Sequence, residues 1–296
     1  MKRTVFFITL LSLQLCLSQT LNHIEFDDKG NEILLGAINK SGLTSNSFNS
    51  WFSENHDHYL VNKAIIKKLK DSLKEYEIKV FLGTWCGDSK KEVPRFYRII
   101  EATKFPDSQL QVIAVNKTNE AYKQSPNHEE AGLNIHRVPT FIFYKNGKEV
   151  NRIVEHPKET LERDMWSIIT DNKYTPNYVA ANYMENLLKT KSIDSLKLDE
   201  ANLLPKLAEY VKGSRELNTY GYSLLRSKQI EKALYIFDLN TKIFPYKHNV
   251  YDSLGEAYFE AGNHNEALKN YYKVLSLKPD DKNALEMIEK VKKEIE

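Results

Sequence analysis

The chain has 296 residues, of which 41% are hydrophobic and 28% charged, a length and composition typical of a globular protein with two domains. With 42 basic and 40 acidic residues its formal net charge is +2, so no strong basic field favours nucleic acid or an anionic membrane surface. The 17 tyrosines and 13 phenylalanines argue against a disordered chain.

Residues 1–18 have the pattern of a secretory signal peptide. A short basic start precedes an apolar stretch, Thr4 to Leu17, that is short for a membrane span. The small residues Cys16 and Ser18 predict cleavage before Gln19. A lipoprotein would instead carry its lipid on Cys16, but the leucine before it is not the small residue that such a site prefers. We therefore expect the chain to be exported to the periplasm and to have no membrane span.

Export would leave the chain with one cysteine. The sequence has two, Cys16 and Cys86, and cleavage removes the first. The remaining thiol has no internal partner, and in an oxidising compartment it is oxidised or paired unless something uses or protects it. Cleavage also removes two basic residues and no acidic one, which leaves 40 of each and a net charge near zero.

Residues 19–59 are predicted to form an N-terminal hairpin and loop. His23 to Ile38 alternates apolar and polar residues about a central turn, which predicts a β-hairpin. Asn39 to Ser50 is rich in serine and asparagine, which predicts a loop. His56 and His58 could belong to a metal site, but no third ligand is evident, and a solvated loop is the favoured interpretation.

Between the N-terminal segment and Asp171, apolar periodicity predicts a series of helices and strands. The predicted elements are a helix over 62–76, a strand over 78–82, a helix over 89–103, a strand over 110–115, a loop with a short helix over 116–136, strands over 140–144 and 149–154, and a helix over 157–169.

The segment FLGTWCGDSKKEVP, Phe81 to Pro94, carries the chemistry of the chain. An apolar strand meets a Gly-Thr turn and then a charged helical pattern, so Cys86 stands at the start of a helix. Backbone N–H groups there are unpaired and the helix dipole is positive, and both favour negative charge on the sulfur. A buried structural cysteine in a strand-to-helix turn is the alternative.

Two motifs in this order resemble the thioredoxin family. Trp85 and Cys86 match the start of its Trp-Cys-x-x-Cys motif, and Pro94 stands where that family places its helix proline. Roughly 50 residues downstream, Arg137-Val-Pro-Thr140 resembles the family's cis-proline strand. The resemblance covers about residues 60–172 and implies an α/β thioredoxin-like domain, a central sheet flanked by helices.

The resemblance also implies what surrounds the cysteine. Val138 and Pro139 would pack against the sulfur and leave the backbone before the proline free to pair with an incoming peptide strand. Trp85 would form one wall of this groove. Glu155 falls where the family usually has a glycine beside the groove, so it either adds a negative charge there or is a solvated strand end.

Residues 86–89, Cys-Gly-Asp-Ser, depart from the family pattern. Ser89 replaces the second cysteine, and Val80 replaces the buried carboxylate that helps to deprotonate it. Both absences remove the same step, release of the enzyme from a mixed disulfide. Gly87 and Asp88 lie between the two positions, and Asp88 is either a helix-starting carboxylate or a charge that opposes a thiolate.

The sequence predicts neither a metal nor a cofactor. Cys86 and His136 are too few ligands for zinc. Cys-Gly-Asp-Ser also resembles the Cys-Gly-Phe-Ser of monothiol glutaredoxins, which hold an iron–sulfur cluster with glutathione. Trp85, the expected export and the Lys-Asn-Gly hairpin favour the thioredoxin interpretation.

After Asp171 the apolar period is helical throughout. Residues 173–213 are predicted to be a helical linker, with helices over 178–191 and 198–212 and an interruption of the second at Pro205.

A repeat of 34 residues follows the linker. Gly221 recurs as Gly255, Ala233 as Ala267, Phe237 as Tyr271 and Pro245 as Pro279. This pattern resembles the tetratricopeptide repeat (TPR), with repeats over 214–247 and 248–281 and a capping helix over 282–296. A TPR array implies a concave surface for a peptide or protein partner; a scaffold or dimer interface is the alternative.

Three functions are compatible with these patterns. The first is an exported protein that attacks substrate disulfides through Cys86, depends on another thiol for release and recruits a partner through its TPR repeats. The second is a non-redox adaptor that binds proteins through both folds. The third, an unrelated enzyme such as a hydrolase, lacks a Ser–His–acid or carboxylate-pair signature.

Overall fold

A computed structural model describes residues 21–118 and 120–296, so the predictions on residues 1–18 lie outside the described residues. The strands are β1 His23–Phe26, β2 Glu32–Ile38, β3 Glu77–Leu82, β4 Leu110–Ala114, β5 Thr140–Lys145 and β6 Lys148–Val154. The helices are α1 Lys40–Leu43, α2 Asn49–Asp57, α3 Lys63–Ser72, α4 Gly87–Thr103, α5 Leu161–Ile169, α6 Val179–Thr190, α7 Ile193–Leu198, α8 Glu200–Tyr210, α9 Arg215–Arg226, α10 Ile230–Ile243, α11 His248–Glu260, α12 His264–Leu277 and α13 Lys282–Ile295.

The strands form one sheet in the order β1-β2-β4-β3-β5-β6, in which β3 and β4 are parallel and every other neighbouring pair is antiparallel. Alternate residues of β3 face opposite sides. Val80 belongs to the core shared with α2 to α5, whereas Phe81 packs with Ile135 and Val138 from the loop before β5. The end of β3 therefore brings Cys86 to the same side as that loop.

The N-terminal hairpin forms as predicted, but it does not stand apart. β2 pairs with β4 and extends the central sheet. The loop predicted over residues 39–50 contains α1 and the start of α2, because the Asn39 side chain accepts hydrogen bonds from the Ser41 and Gly42 N–H groups and begins a helix. His56, on α2, is not solvated either, because its side chain is buried against α4. One of its ring nitrogens lies 2.8 Å from the Asp57 carboxylate and the other 3.0 Å from the Glu101 carboxylate.

Two predicted local features differ in the structure. The short helix expected over 116–136 does not occur among the described residues of that loop, which consists of turns. Pro205 lies inside α8 rather than ending it, and the chain bends before it, at Asp199 between α7 and α8. A proline removes one helical hydrogen bond, and the second turn of a short helix that packs on its neighbours tolerates that loss.

The helical half is built from antiparallel pairs, α9 with α10 and α11 with α12, and α13 packs on the second pair. A Cβ added at Gly221 would lie 2.6 Å from the Phe237 ring, and one at Gly255 would lie 3.1 Å from the Tyr271 ring. The small residues of the 34-residue repeat thus allow each pair of helices to approach, which is the packing that the TPR pattern predicts.

The two halves are in contact. Between α5 and α6, the Tyr174 hydroxyl donates to Asp164 at 2.8 Å, and the Asn177 amide donates to the His156 carbonyl oxygen at 2.8 Å. From the loop before β5, the Gln124 amide donates to the Arg226 carbonyl oxygen at the end of α9, at 2.7 Å. None of the helices within the described ranges is long and apolar enough to cross a membrane.

Candidate functional site

Cys86 occupies the N-cap of α4. Its backbone N–H donates to the Gly83 carbonyl oxygen at 2.9 Å, which closes the turn after β3. The thiol is half-buried and donates to the Val138 carbonyl oxygen, with 3.2 Å between sulfur and oxygen. The Val138–Pro139 peptide bond is cis, and both residues are buried. The sulfur thus lies between a helix N-terminus and the loop that precedes β5.

Trp85 forms a fixed wall beside the sulfur. Its indole N–H donates to the Val115 carbonyl oxygen at 2.9 Å, and its ring lies 5.9 Å from the Tyr122 ring. A Cβ added at Gly83 would come within 2.5 Å of the indole, so this glycine is needed for the close approach of the ring.

The side chain of Ser89 is fully buried and faces the turn, because its hydroxyl accepts a hydrogen bond from the Gly83 N–H at 3.2 Å. Gly87 is exposed, with open space where a Cβ would lie, and Asp88 is partly exposed in the first turn of α4. Val80, at the position of the family's buried acid, is fully buried in β3. The residues between Cys86 and Ser89 therefore leave the sulfur accessible, whereas the hydroxyl is enclosed.

Lys123 is a site residue that the sequence did not reveal. Only 6% of it is exposed, and its ammonium donates to the His136 carbonyl oxygen at 2.6 Å and lies 4.3 Å from the centre of the Tyr122 ring. Burial and the nearby Arg137 guanidinium lower the pKa of Lys123 to about 7, while a negative Cys86 sulfur acts to raise it. The ammonium and a thiolate at Cys86 therefore attract each other. A lysine in a polar loop carries no spacing signal that distinguishes it from a solvated one.

His136 is buried next to this lysine. Burial and the Lys123 charge lower the pKa of His136 to about 3, so its ring is neutral at ordinary pH. Its Nδ1 lies 3.2 Å from the Asn134 carbonyl oxygen, while Nε2 has no hydrogen-bond partner among the described residues. The ring contacts Tyr178 and Tyr220, with ring centres 5.6 and 6.2 Å away, so it lies where the helical half meets the loop.

Glu155 is neither a solvated strand end nor an isolated charge. It accepts a hydrogen bond from Arg137 at 3.1 Å and another from the Tyr178 hydroxyl. The Arg137 guanidinium also lies 4.8 Å from the centre of the Tyr178 ring. The backbone φ of Glu155 is +66°, a left-handed conformation that favours glycine, and this is the physical reason for a glycine at such a position.

Replacing Lys123 with methionine should slow the alkylation of Cys86 by about three- to tenfold below pH 7, because the variant lacks the ammonium that attracts the thiolate. Above about pH 8 the two rates should converge, since the wild-type lysine is then largely neutral. Iodoacetamide rates across this range test the prediction, with Lys67→Met on α3 as the exposed control. Equal alkylation rates of the variant and the wild type at every pH would show that Lys123 does not influence the Cys86 thiolate.

No three histidine, cysteine or acidic side chains come together as a metal-binding group in the part of the chain that the structure describes. The groups that the structure brings together around Cys86 are its half-buried thiol, the Val138 carbonyl oxygen and the buried Lys123 ammonium of the adjoining loop.

Comparison with known proteins shows a similarity of residues 46–167 to thioredoxins. The thioredoxin family profile matches residues 46–167. Thioredoxin Asp f 29 of Aspergillus fumigatus is 32% identical over 80 residues, which are 27% of this chain and 66% of that protein. Thioredoxin H2-2 of Oryza sativa subsp. japonica is 32% identical over 92 residues, 31% of this chain and 61% of that protein. The chain thus spans about three fifths of the length of these relatives.

Among solved structures, the first TPR of Spaghetti (RPAP3) bound to HSP90 peptide SRMEEVD aligns with 40% of this chain and 90% of its own length. The identity is 21% and the TM-score 0.28. At so low a score the TPR assignment rests on the 34-residue spacing and on the helix packing around Gly221 and Gly255.

Proposed function

We propose that this chain, a thioredoxin-like domain followed by a TPR array, is an exported monothiol protein that exchanges disulfides through Cys86. The observation that supports this most directly is the position of the sulfur. It lies half-buried at the N-cap of α4, 3.2 Å from the Val138 carbonyl oxygen and beside an exposed Gly87. A helix N-terminus favours the thiolate that attacks a disulfide.

The proposed reaction has one step that Cys86 performs and one that needs another molecule. The Cys86 thiolate attacks one sulfur of a substrate disulfide, a Cys86–substrate disulfide forms, and the second substrate sulfur leaves as a thiolate. Ser89 cannot complete the exchange, because a hydroxyl is not an attacking thiol and this one is enclosed beside Gly83. An external thiol then attacks the mixed disulfide and Cys86 leaves as a thiolate.

The proposal also covers the compartment in which the protein acts and the partner that it binds. The basic start, apolar stretch and small residues of the leader support export to the periplasm. The paired helices of the TPR array support recruitment of a partner protein or peptide, in keeping with the use of such solenoids as extended binding surfaces.

A non-redox adaptor is the second candidate, and one contact favours it. Tyr178, at the start of the helical half, binds Glu155 and stacks on Arg137 beside the cis-proline loop. Part of the surface next to Cys86 is therefore occupied by the chain itself, as it would be in a protein that uses its thioredoxin fold for binding alone.

Trapping of mixed disulfides separates the two candidates. Protein purified from its native host and alkylated at once should carry reducible adducts with proteins or small thiols, because the described chain holds no second cysteine to release them. Cys86→Ala should abolish every adduct, while Ser276→Ala, an exposed control on α12, should leave them unchanged. Absence of adducts on the wild type, together with alkylation no faster than that of a free cysteine, would establish the adaptor instead.

A further inference from the structure

A cleft of about 940 Å³ lies between the two halves of the molecule, next to the candidate site. One wall contains Arg137 and Glu155 from the thioredoxin-like domain, and the other contains residues from the start of α9 and the end of α10. Tyr178, Tyr210 and Phe244 provide its aromatic surface. This volume is at the upper end of the range of ordinary ligand pockets and has room for a short peptide segment.

The cleft is rich in positive charge. Lys158, Lys212, Arg215 and Lys247 line it, all four are exposed, and none forms an ion pair within the described ranges. The concentration is local, since the chain as a whole has only two more basic than acidic residues. Four unpaired cations around an aromatic surface raise the local concentration of anionic groups.

The two carboxylates of the cleft are already engaged and leave this charge uncompensated. Glu155 is held by Arg137 and by the Tyr178 hydroxyl. Glu216 accepts hydrogen bonds from the Ala180 and Ala181 N–H groups, at 2.7 and 3.1 Å, and so caps the first turn of α6. Burial raises the pKa of Glu216, which further reduces the negative charge that it contributes.

The cleft and the sulfur are linked by consecutive residues of the loop before β5. Arg137 directly precedes Val138, whose carbonyl oxygen lies 3.2 Å from the Cys86 sulfur, and the Glu155 N–H donates to the Pro139 carbonyl oxygen at 2.7 Å. A polypeptide that lies across Cys86 along this loop therefore reaches the cleft within a few residues, since an extended chain advances about 3.3 Å per residue.

We propose that the cleft binds an acidic segment of the protein whose disulfide reacts with Cys86, so that the TPR side of the molecule selects the substrate by charge. The occupant is a stretch in which aspartate or glutamate alternates with apolar residues: its carboxylates pair with Lys212, Arg215 and Lys247, and its apolar side chains lie on the aromatic surface. That the bound segment belongs to a disulfide substrate of Cys86 rests on the proposed function. That the cleft binds an acidic segment does not.

Binding of a cysteine-free peptide in which Glu and Leu alternate tests the proposal by fluorescence anisotropy on the full chain. Combining Lys212→Gln, Arg215→Gln and Lys247→Gln should weaken binding at least about tenfold, because each exposed ion pair contributes only modestly and several act together. The matched control combines Lys63→Gln, Lys67→Gln and Lys70→Gln, exposed residues of α3, and should bind as the wild type does.

Two further measurements complete the test. Cys86→Ala should bind the peptide unchanged, because the thiol takes no part in this binding. A wild-type protein that forms no mixed disulfides in the trapping experiment, yet binds the peptide, would refute the proposed function and leave the cleft proposal standing. The Gln-Leu counterpart of the peptide should bind at least about tenfold more weakly than the acidic one. Equal binding of the two peptides, or equal loss in the cleft and control variants, would overturn the proposal.

Discussion

Mixed disulfides on Cys86 should dissociate at least about 100-fold faster in a Ser89→Cys variant than in the wild type, because the releasing thiol then acts within the molecule at a high effective concentration. Ser89 lies one helical turn from the N-cap, and its side chain reaches the Gly83 N–H at 3.2 Å. The thiol introduced by this change can attack the Cys86–substrate disulfide and pair with the Cys86 sulfur, which frees the substrate as a thiol. The variant should then turn over in the presence of an external reductant.

The lifetime is measured by forming the adduct with a small disulfide and following its decay by intact mass. Ser89→Ala tests the loss of the hydroxyl alone and should leave the lifetime as in the wild type. Ser276→Cys places a thiol on the exposed side of α12 and should also leave it unchanged. If the adduct of Ser89→Cys decays no faster than that of Ser276→Cys, Ser89 does not occupy the resolving position.

The second large effect is a loss of stability in acid that depends on His136. The folded pKa of His136 is about 3, against an ordinary value of 6.5, because the ring is fully buried. Between these values the unfolded chain binds a proton that the folded chain does not. The stabilisation is therefore complete above about pH 6.5 and is lost as the pH falls towards about 3, by roughly 1.4 kcal/mol of unfolding free energy per pH unit.

The variant His136→Phe separates the contribution of His136 to the pH dependence of stability from the contributions of the carboxylates. The ring keeps its contacts with Tyr178 and Tyr220, but it no longer titrates. Urea unfolding from pH 7 down to about 4 should show a pH dependence shallower than that of the wild type by about 1.4 kcal/mol per unit. His58→Phe, the same change at an exposed position, should keep the wild-type slope. Parallel slopes for the wild type and His136→Phe would mean that His136 is protonated in the folded state.

The features that the sequence predicted correctly are those that depend on residues close together in the chain. The strand, turn and helix around Cys86 were predicted from Phe81 to Pro94, and they form because apolar periodicity and a glycine turn act over a few neighbouring residues. Similarly, the 34-residue interval from Gly221 to Gly255 revealed the TPR array, since each repeat packs mainly on the next one.

Two predictions from local sequence patterns were wrong because side-chain capping and tertiary packing gave those residues a different environment. The serine- and asparagine-rich stretch after Ile38 has the composition of a loop, yet Asn39 uses its side chain to begin a helix. His56 has the flanking residues of a solvated loop, but Phe52 stacks on its ring at 5.5 Å and α4 covers it.

That Cys86 stands at a helix N-terminus, with Ser89 three residues further on, follows from the sequence alone, because both the helix start and this spacing are local. The surroundings of that thiol depend instead on tertiary packing. The Lys123 ammonium is buried against the His136 carbonyl oxygen, and Glu155 is held both by Arg137 and by Tyr178, which reaches it from the helical half. Burial and charge at one residue depend on groups that are not its neighbours in sequence, and these meet only when the chain folds.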